Sequence, residues 1–136
     1  MKFLIVDDSK IARRKISSFV SELGYEVISE AENGLEALKL ANELKPDIII
    51  MDLEMPVMNG SEATKKICNV NNNIKIVIAT SSINKKDKIA ALQNGARKIL
   101  EKPIARPASV HQIAGFLMSR PGDSYTNQGC HEYHQM

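Results

Sequence analysis

Residues 48–56 read Ile48-Ile49-Ile50-Met51-Asp52-Leu53-Glu54-Met55-Pro56. Four consecutive apolar residues without polar alternation describe a strand buried on both faces, the condition of a parallel sheet covered by helices on either side. Asp52 ends the run, so this strand delivers a carboxylate to one edge of the sheet. A second run of the same kind, Ile76-Val77-Ile78-Ala79, ends instead in the hydroxyls of Thr80 and Ser81.

Outward from these two runs, five short apolar segments alternate with five segments of helical period. The strand expectations are Phe3 to Val6, Tyr25 to Ser29, Asp47 to Met51, Ile74 to Ala79 and Ala96 to Leu100. After the first of them, Ala12, Ile16, Phe19, Val20 and Leu23 fall on one face of a helix that begins at an N-cap Ser9 and stops at Gly24. The remaining helices are expected at Gly34 to Leu44, Gly60 to Asn69, Lys85 to Asn94 and Pro107 to Met118, where Pro107 suits a first turn. Strict alternation requires right-handed crossovers, which places helices on both faces of a doubly wound sheet. Ligands of such sheets bind at the carboxyl ends of the strands.

Bulk composition agrees with one ordinary domain. The 136 residues are 43% apolar and 25% charged, and 18 Lys and Arg against 16 Asp and Glu are spread along the chain without a basic block. That balance gives no support to nucleic-acid binding. No apolar run nears the roughly 20 residues that cross a bilayer. Cys68 and Cys130 form no CxxC pair and no leader-like start is seen, so the expectation is a cytoplasmic protein with reduced thiols. The expected domain is 1–119. From Arg120 the apolar period is lost, and 120–136 is expected to be a polar tail, flexible or an expression remnant.

The residues that follow each strand are chemically coherent: Asp7 and Asp8 after the first, Asp52 after the third, Thr80 and Ser81 after the fourth, Lys102 and Pro103 after the fifth. Three carboxylates brought together repel unless a proton or cation neutralises them. Mg2+ prefers oxygen ligands, uses one or two carboxylates and keeps positions open, which fits Asp7, Asp8 and Asp52 better than zinc or a calcium loop. A lysine and a hydroxyl added to such a pocket narrow the chemistry to a phosphoryl group. Asp52, ending the middle strand, is the central candidate for its acceptor. Singly, each residue has a plainer use: Asp7 and Asp8 as helix-capping acids, Asp52 as a loop carboxylate, Thr80 as a strand-end hydroxyl, Lys102 as surface charge. Their register at successive strand ends favours the functional reading.

Val6-Asp7-Asp8-Ser9, Met51-Asp52-Leu53-Glu54-Met55-Pro56-Val57-Met58-Asn59-Gly60, Ala79-Thr80-Ser81 and Lys102-Pro103 together resemble the receiver domain of two-component response regulators, over residues 2 to 118 and most closely of the single-domain chemotaxis type. The fold expected is a five-stranded (βα)5 sheet of flavodoxin-like order 2-1-3-4-5. The resemblance implies that Asp52 forms an aspartyl phosphate, that Asp8 and Asp52 bind Mg2+ directly, Asp7 through water, and the main-chain carbonyl of Glu54 completes the protein ligands. It implies that Lys102 pairs with the phosphoryl oxygens, that Thr80 moves to hydrogen-bond them, and that the Lys102–Pro103 peptide is cis. A sensor histidine kinase and a downstream target protein are the implied partners, with no nucleic acid and no membrane insertion. Such a domain is no enzyme beyond its own phosphoryl transfer and dephosphorylation.

One departure stands out, since Ile99 occupies the place where the family usually carries a switching Tyr or Phe. Glu54 and Ser82 stand where the family tunes phosphoryl lifetime, and Glu54 either orients water or pairs with a Lys. Met55 and Met58 read as loop packing. Cys130, His131 and His134 lack a fourth ligand for a soft metal and read as tail, while His111 has no assigned role. Two competing classes remain: a flavodoxin-like electron carrier, disfavoured because Asp7-Asp8 replaces a hydroxyl- and Gly-rich phosphate loop, and an aspartyl phosphatase of the haloacid dehalogenase type, disfavoured because Glu54 stands where its general-acid Asp belongs and because Asp52 follows the third strand. A receiver belonging to a larger protein is the third.

Overall fold

The middle of the molecule is the strand β3, Ile48–Met51, every residue of which is buried. In this computed structural model, which describes residues 1–102 and Ile104, it is flanked by β1 (Lys2–Val6) and β4 (Lys75–Thr80), with β2 (Glu26–Ala31) and β5 (Lys98–Glu101) at the edges. All four pairings are parallel and the order is β2-β1-β3-β4-β5. Four helices connect them: α1 (Lys10–Glu22), α2 (Gly34–Leu44), α3 (Gly60–Val70) and α4 (Lys85–Gln93). The fold is therefore the doubly wound sheet expected from the alternation, in the flavodoxin-like order expected with the resemblance.

Why the runs were continuous is visible in the packing. Successive side chains point to opposite faces of a strand, and both faces are covered. Leu4, Val6, Ile49, Met51, Ile76 and Ile78 meet Ala37 and Ala41 of α2, Ala63 and Ile67 of α3 and Ala91 of α4. Phe3, Ile5, Ile48, Ile50, Val77 and Ala79 meet Ile16 and Val20 of α1, with Ile104 on the same side. Burying one such branched side chain is worth roughly 1.5–3 kcal/mol, so one register accommodates both sets and a slip would expose neither face without cost.

Each helix opens just beyond a strand with a side chain that satisfies a free N–H. Ser9 accepts from the Ala12 amide in α1, Asn33 from Glu36 in α2, Asn59 from Glu62 in α3 and Asn84 from Lys86 in α4. Ser9 had been expected; the three asparagines had not. Gly60 begins α3 because the helix rides over the end of β3, where a Cβ would collide with the Asp52 carbonyl oxygen. Its amide donates to the Leu53 carbonyl at 2.8 Å, which pins the β3–α3 loop to the helix.

Element boundaries shift by a few residues from expectation. β5 starts at Lys98 and not Ala96, because the Ala96 amide still donates to the Ala91 carbonyl and closes α4. β2 runs on to Ala31, carried by pairing of Glu30 and Ala31 with Ile5 and Val6. Among the described residues no helix is long and apolar enough to cross a membrane. The expected Pro107–Met118 helix, the Lys102–Pro103 peptide geometry, His111, the 120–136 tail and its Cys130, His131 and His134 lie outside the described residues.

Candidate functional site

The carboxyl ends of β1, β3 and β5 bring together the groups named from sequence. Asp7 and Asp52 are buried and Asp8 is exposed. One carboxylate oxygen from each of the three lies within 4.8 Å of the others. Lys102 reaches in from the end of β5, its Nζ 2.5 Å from Asp7 Oδ2 and 3.6 Å from Asp52 Oδ1. The ammonium thus leans on Asp7 more than on the acceptor candidate.

Asp7 is fixed at every polar atom. Its amide donates to the Ala31 carbonyl at 3.1 Å, Oδ1 accepts the Ser9 amide at 2.9 Å, Oδ2 accepts from Lys102, and its carbonyl accepts from Arg13 at 2.6 Å. Asp52, a little less buried than Asp7, has fewer polar partners: burial pushes its carboxyl up to about 6, against the pull of Lys102, with Asp7 adding to the rise and the Leu53 and Glu54 amides opposing it. Desolvation and a like charge both disfavour ionisation. A divalent cation removes both penalties, and a donor set made only of oxygen suits a hard ion such as Mg2+.

On the β4 side, Thr80 is buried at the strand end and its hydroxyl accepts the Ser82 amide at 3.0 Å. Ser82 Oγ in turn accepts the Asn84 amide at 3.1 Å, and Asn84 caps α4. The hydroxyl thus ties its own loop as an acceptor and keeps its O–H as a donor. Ile99 is 7% exposed and packs in the layer that holds Ala91 of α4. Glu54 lines a groove of about 560 Å3 between α3 and α4, shared with Glu62, Lys65 and Asp87.

Arg13 is the polar residue that sequence reading passed over. It stands three and seven residues before Ile16 and Val20 on the buried face of α1, a position that its place in Arg13-Arg14-Lys15 disguises as surface charge.

With fold and site in place, the wider likeness is informative. A family model described as the response regulator receiver domain matches residues 3–114, and the chain belongs to that family. Chemotaxis protein CheY of Thermotoga maritima is 40% identical over 102 residues, covering 75% of this chain and 85% of its own. CheY of Listeria monocytogenes is 38% identical over 103 residues, covering 76% and 87%. Among solved structures, the response regulator domain of Thermotoga maritima CheB superposes with a TM-score of 0.78 at 32% identity, over 89% of this chain and 98% of that one. CheY in the CheX-CheY-BeF3-Mg2+ complex from Borrelia burgdorferi gives 0.81 at 25% identity, over 88% and 90%. These relatives go with a regulatory domain of two-component signalling, in place of an electron carrier or a phosphatase.

Proposed function

We propose that this chain is a phosphorylation-dependent response regulator in which Asp52 accepts a phosphoryl group, in a pathway of the chemotaxis kind. The observation that carries the reading is the convergence of three carboxylates and the Lys102 ammonium at the ends of three strands. In the transfer, the P–N bond of a phosphohistidine on a sensor kinase breaks as a P–O bond to the Asp52 carboxylate forms, and the imidazole leaves. With the acceptor carboxyl pushed up to about 6, it is still mostly ionised at neutral pH and able to attack.

Asp7, Asp8, Asp52 and the Glu54 carbonyl would hold Mg2+, which when bound supplies positive charge to the phosphoryl oxygens. Lys102 supplies fixed charge from the opposite strand. Thr80, whose hydroxyl accepts the Ser82 amide and keeps its own O–H to give, donates to a phosphoryl oxygen, and the loop tied to it through Ser82 moves with it to present a different surface to a downstream target. The CheY relatives support the chemotaxis setting.

Intact mass after incubation with acetyl phosphate and Mg2+ tests the reading. The wild type should gain the mass of one phosphoryl group and Asp52→Asn should gain none; equal gain by both would overturn it.

A further inference from the structure

Arg13 is 8% exposed, and a buried guanidinium is strongly unfavourable unless its charge and N–H groups are met. They are met from two other elements. Nη1 donates to the Asp7 carbonyl at 2.6 Å in buried surroundings, Nε donates to Glu30 Oε1 at 3.1 Å, and Nη2 lies 3.9 Å from Glu32 Oε1. A buried arginine whose fork ends on a main-chain carbonyl and on two carboxylates at the end of β2 ties α1, β1 and β2 together at the edge of the acidic cluster.

The carbonyl it grips belongs to the peptide that joins Asp7 to Asp8. That peptide is planar, so holding its oxygen fixes the plane from which the Asp8 side chain departs. Asp7 has three further anchors of its own, whereas Asp8 is exposed. We propose that Arg13 is a positioning residue of the metal site, orienting the Asp7–Asp8 peptide so that the Asp8 carboxylate is held toward Asp7 and Asp52. This rests on the Mg2+ reading above and deepens it.

Two roles for Arg13 predict opposite signs. As a mere positive charge beside a cation site it would repel Mg2+, and neutralising it would tighten binding. As an orienting group its loss must loosen binding even though repulsion is relieved. Arg13→Lys separates them further, since it keeps the charge but replaces a rigid two-sided fork by a single mobile ammonium.

Calorimetric titration of Mg2+ alone into the full chain, beside thermal unfolding in chelator, is the test. Arg13→Gln should weaken Mg2+ binding by about tenfold, the lower end of what outer ligands of metal sites contribute, and Arg13→Lys should weaken it less but in the same direction. Unchanged or tighter binding by both folded variants, whatever their loss of thermal stability, would overturn the proposal and leave Arg13 as a structural clamp only. Should Arg13→Gln not fold, Arg13→Lys decides by itself. If the wild type binds no Mg2+ while remaining folded, the proposed function falls and the role of Arg13 with it.

Discussion

The two sides of the site are built differently. On the β1–β3 side Asp7 and Asp52 are buried beside an exposed Asp8: Asp7 is engaged at all of its polar atoms, and Asp52 lies against the β3 end with Gly60 packed over its carbonyl. On the β4 side, beyond Thr80, the chain from Ser81 to Asp87 is largely exposed, with Ile83 94% exposed, and is held by a succession of short local contacts from Thr80 to Ser82 to Asn84. Chemistry needs geometry fixed before the reaction, while a signal needs a segment with little to lose on moving. Under the proposed function these demands fall to different strands.

The largest effect expected from that contrast is on the fixed side. Asp8→Ala removes charge and an oxygen ligand together, and Mg2+ affinity measured by calorimetry should fall by on the order of a hundredfold. Binding as tight as in wild type would break the assignment of the fixed half.

Thr80→Ala addresses the exposed β4 half. Phosphorylation of Asp52 should be largely retained, because no bond is made or broken at Thr80, whereas amide hydrogen exchange across 81–100 should cease to respond to beryllofluoride. A ligand shifts a two-state equilibrium only by its differential contacts, about 1.4 kcal/mol for each tenfold change. The same protection change in mutant and wild type would mean that the signal bypasses Thr80.

A pH experiment sharpens the contrast further. Burial pushes the Asp52 carboxyl up to about 6 in the folded chain from an ordinary 3.8. The folded state therefore holds this proton more tightly; its contribution to stability is complete below about 3.8 and is lost as pH rises through about 6. In chelator, Asp52→Asn should melt higher than wild type at pH 7, by no more than about 3 kcal/mol, with the advantage vanishing near pH 4. A constant difference across that window would contradict the buried-carboxylate account.

The smallest effect lies in the β3–α3 loop. Val57 has φ 70, and the Met58 amide donates to the Pro56 carbonyl at 2.7 Å, so a β-branched residue occupies a left-handed three-residue turn. Val57→Gly should raise stability by about 1 kcal/mol, the relief of strain less the entropy of glycine, read as the shift of a denaturation midpoint. Destabilisation would mean that the loop depends on the valine side chain.

Legibility in the sequence followed burial. Runs such as Ile48 to Met51 could be read because covering both faces of a parallel sheet requires unbroken apolar character. Asp7, Asp8, Asp52, Thr80 and Lys102 could be grouped because topology alone sends strand ends to one edge. Arg13 could not, since its burial depends on carboxylates of β2 that no local pattern announces. Nor could the lean of Lys102 toward Asp7, which follows from side-chain reach across the sheet, or the positive-φ turn at Val57, where local propensity argues the other way.

The proposed function depends most directly on where the phosphoryl group goes. Borohydride reduction of an aspartyl phosphate converts that residue to homoserine, and fragment mass analysis locates it. After acetyl phosphate and Mg2+ treatment, homoserine should appear at position 52 and nowhere else, whereas homoserine at position 7 or 8, or none in a protein that has gained phosphoryl mass, would contradict Asp52 as the acceptor.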